Sequence, residues 1–249
     1  MARPGSHGTL LTVAPRATVS VDDLVAAAQN SERVGVSVVR VPAAEPRRLT
    51  ETVAALRERT GLLVQLADVT DERMLDALPD AASCPLADAD SDDGWTALVH
   101  LHAALRDRGV APEYEITRFE QFAVLRRLLD EHGLPAGGRV HVGLPLGAPG
   151  GMPGDAETLV DAVRLLPEGA SFSAAGLGGT TIPVMLAALA IGGHLRVGTA
   201  DTADYAKGQP AQDIQLVARA AGLAKIAQRP PLAVAEAREL LGVHSPVQV

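Results

Sequence analysis

Ile191-Gly192-Gly193-His194-Leu195-Arg196-Val197-Gly198-Thr199-Ala200-Asp201 carries the reading of the fold. A Gly-Gly turn leads into a short apolar strand, and polar residues follow just past its end. In parallel α/β proteins that strand end is where ligands and chemistry sit. With period-2 alternation, His194, Arg196 and Gly198 share one face, and Leu195, Val197 and Thr199 share the other. Leu195 and Val197 are expected to pack under helices, so Arg196 is expected to point inward. A buried guanidinium needs an acidic partner, and Asp201 is the local candidate. Such a pair can orient a substrate carboxylate or act as a base. The structural alternative is an ion pair that braces the strand end.

Working outward, strand and helix signals alternate along the whole chain. Apolar or β-branched runs mark strands at 10–15, 34–41, 61–67, 83–86 (the weakest), 113–117, 140–146, 171–177 and 194–198. Helical spacing marks 21–31, 49–59, a short 71–78, 94–108, 119–131, 155–166, 182–191, roughly 213–227, and 234–241. Ser20 is placed as an N-cap and Gly109 as a C-cap. Eight strand–helix units in 249 residues fit a (β/α)8 TIM barrel, for which ~250 residues are typical. The reading is a single barrel domain over 1–249. An open doubly wound sheet is the runner-up, but it needs fewer strands and a switch point.

Composition agrees. Hydrophobic residues make up 47% and aromatics only 2%, so the core must be aliphatic, as in buried parallel strands flanked by helices. The net charge of −8 and the lack of a basic patch with interleaved aromatics give no support to nucleic-acid binding. Cys84 is the single cysteine, which excludes an internal disulfide and a CxxC metal site. No apolar run reaches the ~18 residues of a membrane span. Met1 to Gly8 lacks the apolar stretch of a signal peptide. A soluble cytoplasmic protein with no membrane partner is expected.

Other candidates sit at the expected strand ends. Glu113 and Glu115 alternate onto one face. Glu115, nearer the C-terminal end, is the preferred general base with a raised pKa; neutralising Arg196 or Arg118 is its structural alternative. Gly176-Leu177-Gly178-Gly179-Thr180-Thr181 opens a helix. Gly176, Gly178, Gly179 and Thr180 are therefore candidates for holding a phosphate or carboxylate on backbone N–H groups; tight strand–helix packing is the alternative. His100 and His102 lie on a helix at a spacing that does not chelate. The segment 147–154 has no lysine and is not a P-loop. Cys84 lacks an evident His partner for nucleophilic catalysis.

The opening segment resembles the β-keto acid cleavage enzymes, whose members typically read GGHVRVGLEDN here. Gly150-Gly151-Met152-Pro153, Ala174-Ala175-Gly176-Leu177-Gly178 with Pro183 and Met185, Pro112-Glu113-Tyr114-Glu115, Gly35–Val39 and Val64-Gln65 follow the family's order. The resemblance implies a TIM barrel and retro-Claisen cleavage of a β-keto acid with acetyl-CoA as co-substrate. It also implies a homo-oligomer, and a substrate-binding Arg and an Asp at Arg196 and Asp201. It implies a zinc ion held by a Glu where Ala200 stands and by two His where Arg40 and Pro42 stand. Those side chains supply no zinc ligand, so the family zinc is expected to be absent. The serine-rich turn after the third strand is replaced by Ala67-Asp68-Val69, the aspartate after PExE by Arg118, and the first loop is cut to Arg16-Ala17-Thr18. Arg40 then becomes a candidate for binding a carboxylate or stabilising an enolate; pairing with an acid such as Asp68 is the plain alternative.

Three readings follow. The first is metal-free activity on a small anionic keto acid, with Arg196 and Arg40 binding charge and Asp201 or Glu115 moving protons. The second is a non-catalytic relative that binds a ligand or a partner. The third is a phosphate-ester isomerase or aldolase using the 176–181 loop. A Schiff-base aldolase would need a barrel lysine, and Lys207 and Lys225 both lie outside the strands.

Overall fold

The computed structural model describes residues 7–16, 20–86 and 91–243. Eight parallel strands close in sequence order into a barrel: β1 (Leu11–Val13), β2 (Val38–Val41), β3 (Leu63–Leu66), β4 (Ala81–Pro85), β5 (Ala111–Glu115), β6 (His141–Leu146), β7 (Ser171–Gly176) and β8 (His194–Val197). The seam is the pairing of β1 with β8, with Thr12 opposite Arg196. Closure settles the architecture against the open sheet.

Helices follow the strands: α1 (Val21–Glu32), α2 (Pro46–Arg59), α3 (Asp92–Asp107), α4 (Gln121–His132), α5 (Ala156–Arg164), α6 (Thr181–Ala190), α7 (Asp213–Ile226) and α8 (Val234–Leu241). Ser20 caps α1 by accepting the Asp23 N–H, and Ser91 and Asp155 do the same for α3 and α5, each replacing a helix-end bond that the backbone cannot make. The short helix expected at 71–78 is a 3-10 turn, Glu72–Ala77, too brief to settle into α geometry.

Outward strand residues such as Leu195, Val64 and Val142 are fully buried under the helices. A second, smaller cluster joins Leu10, Val38, Leu63, Ala81 and Ala111 to Ala237 and Leu241 of α8. These residues lie at or just before the starts of β1 to β5, so α8 closes the N-terminal end of the barrel. Chemistry is left to the opposite mouth.

Some boundaries differ from the sequence reading. β2 begins at Val38 rather than Val34, because the chain turns through Gly35 at φ +104°. β4 and β5 begin two residues earlier than expected, at Ala81 and Ala111. A hairpin of β9 (Asp204–Ala206) and β10 (Gln209–Pro210) follows β8 and was not expected. Part of the shortened first loop, Ala17 and Thr18, lies outside the described residues. None of the helices among the described residues is long and apolar enough to cross a membrane.

Candidate functional site

The barrel interior is polar although its wall is aliphatic. Alternation turns Arg40 of β2, Gln65 of β3, Glu113 and Glu115 of β5, His141 of β6, Ser173 of β7 and Arg196 of β8 inward. All are buried or nearly so. Gly143 of β6 makes room for this set: a Cβ there would sit 3.0 Å from the Glu113 carboxyl carbon.

At the C-terminal mouth, Arg196 donates from Nη2 to Asp201 Oδ1 at 2.9 Å and from Nε to Asp201 Oδ2 at 3.3 Å. Two parallel bonds fix both planes. Its remaining nitrogen, Nη1, donates to Glu115 Oε1 at 2.6 Å. Arg40 Nη1 donates to that same oxygen at 2.7 Å. Arg40 also reaches Glu113 Oε2 at 3.4 Å and Asp68 Oδ1 at 3.6 Å. Asp68 adopts a left-handed backbone, φ +47°, and its N–H donates to Ser83 Oγ at 2.7 Å. That turn holds its carboxylate near Arg40.

The mouth thus sets two guanidiniums among four carboxylates. Both plain alternatives from the sequence are seen: Arg40 pairs with Asp68, and Glu115 with Arg196. Glu115 does not have the raised pKa expected of a general base. Burial alone would raise it, but the adjacent Arg40 and Arg196 charges override burial and hold the carboxyl at about 2. Burial works against the charge of Arg196, yet Asp201 and Glu115 hold it protonated more firmly than usual.

Below this layer, Gln65 Nε2 donates to Glu113 Oε2 at 2.5 Å. His141 shares its ring nitrogens with Ser171 Oγ and Ser173 Oγ at 2.7 and 2.9 Å. Burial holds His141 below the usual histidine range against the pull of Glu113, and burial with His141 and Arg229 nearby holds His194 well below it. His194 Nδ1 accepts the Leu10 N–H at 3.0 Å across the seam, which makes it a brace. The sequence reading missed His141. An isolated polar residue at an inward position of an apolar run was its only signal.

The glycine-rich loop after β7 is not an open row of donors. The N–H groups of Leu177, Gly178, Thr180 and Thr181 already donate to Leu146, Asp201, Leu177 and Gly178 carbonyls. Thr180 Oγ1 donates to the Leu177 carbonyl at 2.9 Å. A Cβ on Gly176 would meet the Thr180 carbonyl oxygen at 2.4 Å, so that glycine serves close packing. Gly178 and Gly179 have open space where a Cβ would be. The bond from Gly178 to the Asp201 carbonyl, 2.9 Å, instead ties Asp201 to the loop. Asp213 Oδ1 accepts the Thr199 N–H at 2.7 Å and pins the same turn from the other side.

His102 is buried on α3, bonded through Nδ1 to the Tyr114 hydroxyl at 2.9 Å; it is part of the helix–strand packing. Cys84 is buried with its thiol pushed up to about 12, mainly by burial, which leaves no thiolate for nucleophilic attack. Lys207 and Lys225 are exposed, so neither reaches the barrel interior.

A family model described as beta-keto acid cleavage enzyme matches residues 12–243. The chain belongs to the β-keto acid cleavage enzyme family. Among curated proteins, the 3-keto-5-aminohexanoate cleavage enzyme of Acetoanaerobium sticklandii is 26% identical, over 92% of this chain and 92% of that protein. The 3-oxoadipate:acetyl-CoA acetyltransferase of Cupriavidus necator is also 26% identical, over 93% of this chain and 89% of that protein. Among solved structures, apo ObcA superposes with a TM-score of 0.67 at 14% identity, over 90% of this chain. That protein is longer, and this chain spans 65% of it. At that identity the likeness concerns the fold.

At the three positions where the family resemblance places zinc ligands, this chain carries Arg40, Pro42 and Ala200. Arg40 fills the end of β2 with a guanidinium already bonded to carboxylates. Pro42 follows that strand with no donor atom. Ala200 sits exposed in the turn after β8, its N–H bonded to the Ala14 carbonyl at 3.0 Å. Three protein N, O or S ligands are the minimum for a catalytic zinc, and these side chains provide none. Among the described residues, no group of three or more His, Cys, Asp or Glu is placed to hold a metal ion.

Proposed function

We propose that this chain binds a small β-keto acid at the barrel mouth through Arg196 and acts on it without zinc. Asp201 moves the proton, Arg40 supplies positive charge, and acetyl-CoA is the co-substrate. The observation that carries the reading is the two-bond Arg196–Asp201 pair at the mouth. A guanidinium held on one edge keeps its other edge aligned for a second carboxylate. Asp201 oxygens that each accept one bond retain further lone pairs for a substrate proton. Both named relatives act on keto acids by their printed names. A homo-oligomer of single barrel domains belongs to the same proposal, and sedimentation equilibrium checks it.

One observation favours the non-catalytic reading as the second choice. Each guanidinium already faces carboxylates of the chain, so an incoming anion must displace one. The N–H groups of Leu177, Gly178, Thr180 and Thr181 already donate to carbonyls of the chain, which counts against the phosphate-ester isomerase reading.

The test uses tag-free protein treated with a chelator, acetyl-CoA and a panel of β-keto acids, with products followed by mass spectrometry. Turnover that survives chelation and falls at least ~100-fold in Arg196→Ala is expected. Bound zinc near one per chain, with turnover lost on chelation, would overturn the metal-free chemistry. Binding without turnover would establish the second reading.

A further inference from the structure

We infer that the mouth contains a carboxylate-binding seat between Arg40 and Arg196, and that Glu115 of the chain itself occupies it. The inference rests on the proposed binding role of Arg196 and adds a second cation, the occupant and the ligand class.

One oxygen of Glu115 takes both guanidiniums, from Arg196 Nη1 at 2.6 Å and Arg40 Nη1 at 2.7 Å. The two nitrogens therefore lie no more than about 5.3 Å apart, facing a single anionic oxygen. Charge-assisted bonds from two guanidiniums are among the strongest that a carboxylate receives.

The seat does not depend on Glu115 for its shape. Arg196 is pinned on its other edge by Asp201. Arg40 is pinned by Glu113 and Asp68, and Glu113 is fixed in turn by Gln65. If Glu115 swings away, both cations stay where they are. Glu115 is also placed to leave. It is the last residue of β5, next to the loop, and its side chain keeps 11% exposure at the mouth. Its second oxygen carries no hydrogen bond among the described residues. A substrate carboxylate can take its place on the two guanidiniums with no other group moved, so Glu115 acts as a stand-in for the ligand.

Removing the stand-in exposes the seat. The probe is sodium formate, against sodium chloride at the same concentration, with thermal unfolding as the readout. In Glu115→Ala, formate is expected to raise the melting temperature saturably, by roughly 4 °C or more over chloride, because it binds the folded state alone. Wild type and Glu115→Gln, whose seat stays filled, show no formate-specific rise. Arg40→Met combined with Glu115→Ala removes one wall of the seat and is expected to weaken the formate response at least tenfold in concentration. Where Glu115→Ala is unfolded in chloride, the readout becomes recovery of circular dichroism in formate. Equal behaviour of Glu115→Ala in formate and chloride overturns the seat. So does a formate response that survives loss of Arg40. Neither measurement uses turnover, so a confirmed seat with no keto acid cleavage refutes only the proposed activity.

Discussion

Replacing Glu115 by Gln, and following stability against pH, probes the centre of the ion-pair network. The Glu115 carboxyl falls from an ordinary 4.5 to about 2 in the folded barrel. Each unit is worth about 1.4 kcal/mol, so its ionised form adds about 3 kcal/mol to stability. Its side chain is almost wholly buried, so solvent screening removes little of this. A depressed pKa gives stabilisation that is fully present above the unfolded value and lost as pH falls through the folded one. The window is therefore pH 4.5 to 2, and about two-fifths of the effect is gone near pH 3.5. Glu115→Gln has no charge to titrate there. Guanidinium denaturation midpoints of both proteins, measured from pH 7 down to 3.5, give a difference that cancels the other carboxylates. Wild type is expected to lead by about 3 kcal/mol at pH 7, with the lead shrinking toward acid. A difference that stays constant over that range would refute the claim that Arg40 and Arg196 hold Glu115 ionised.

Two further outcomes follow from packing. Gly198→Ala places a Cβ 2.0 Å from the Ala14 carbonyl oxygen; backbone on both sides of the β1–β8 seam must part, and urea denaturation should show a loss of roughly 3 kcal/mol or more. Cys84 should resist thiol-reactive dyes in the native protein and react only after unfolding, a difference read directly in a labelling time course.

Several parts of this architecture are legible in the chain. The inward placement of Arg196, and its pairing with Asp201, follow from a two-residue period in a four-residue strand flanked by glycines. Tertiary assembly decides the rest. Nothing local says that Glu115 stands between two arginines, since β2, β5 and β8 come together only when the barrel closes. The position of Glu115 near the C-terminal end of its strand points toward a base with a raised pKa, whereas the two guanidiniums reverse the effect of burial. The 176–181 loop carries the composition of an anion site, yet the N–H groups of Leu177, Gly178, Thr180 and Thr181 are used within the chain, Gly178 to anchor Asp201, which composition does not reveal. β4 and β5 open on Ala81 and Ala111, poor strand formers that belong to the sheet because their neighbours pair with them. The β9–β10 hairpin is largely exposed, so it lacks the alternation that marks a strand.

The seam has a consequence for how the chain is made. β1 is three residues long, and one of its two neighbours, β8, arrives far later: the Leu10–His194 bond spans 184 residues. At a synthesis rate of roughly 5–20 residues per second, the first strand waits roughly 10 to 40 s for that partner. During that interval a parallel sheet of up to seven strands has two open edges and an unshielded row of inward charges. Nascent chains of this protein are therefore expected to be most exposed to edge-to-edge aggregation until β8 emerges.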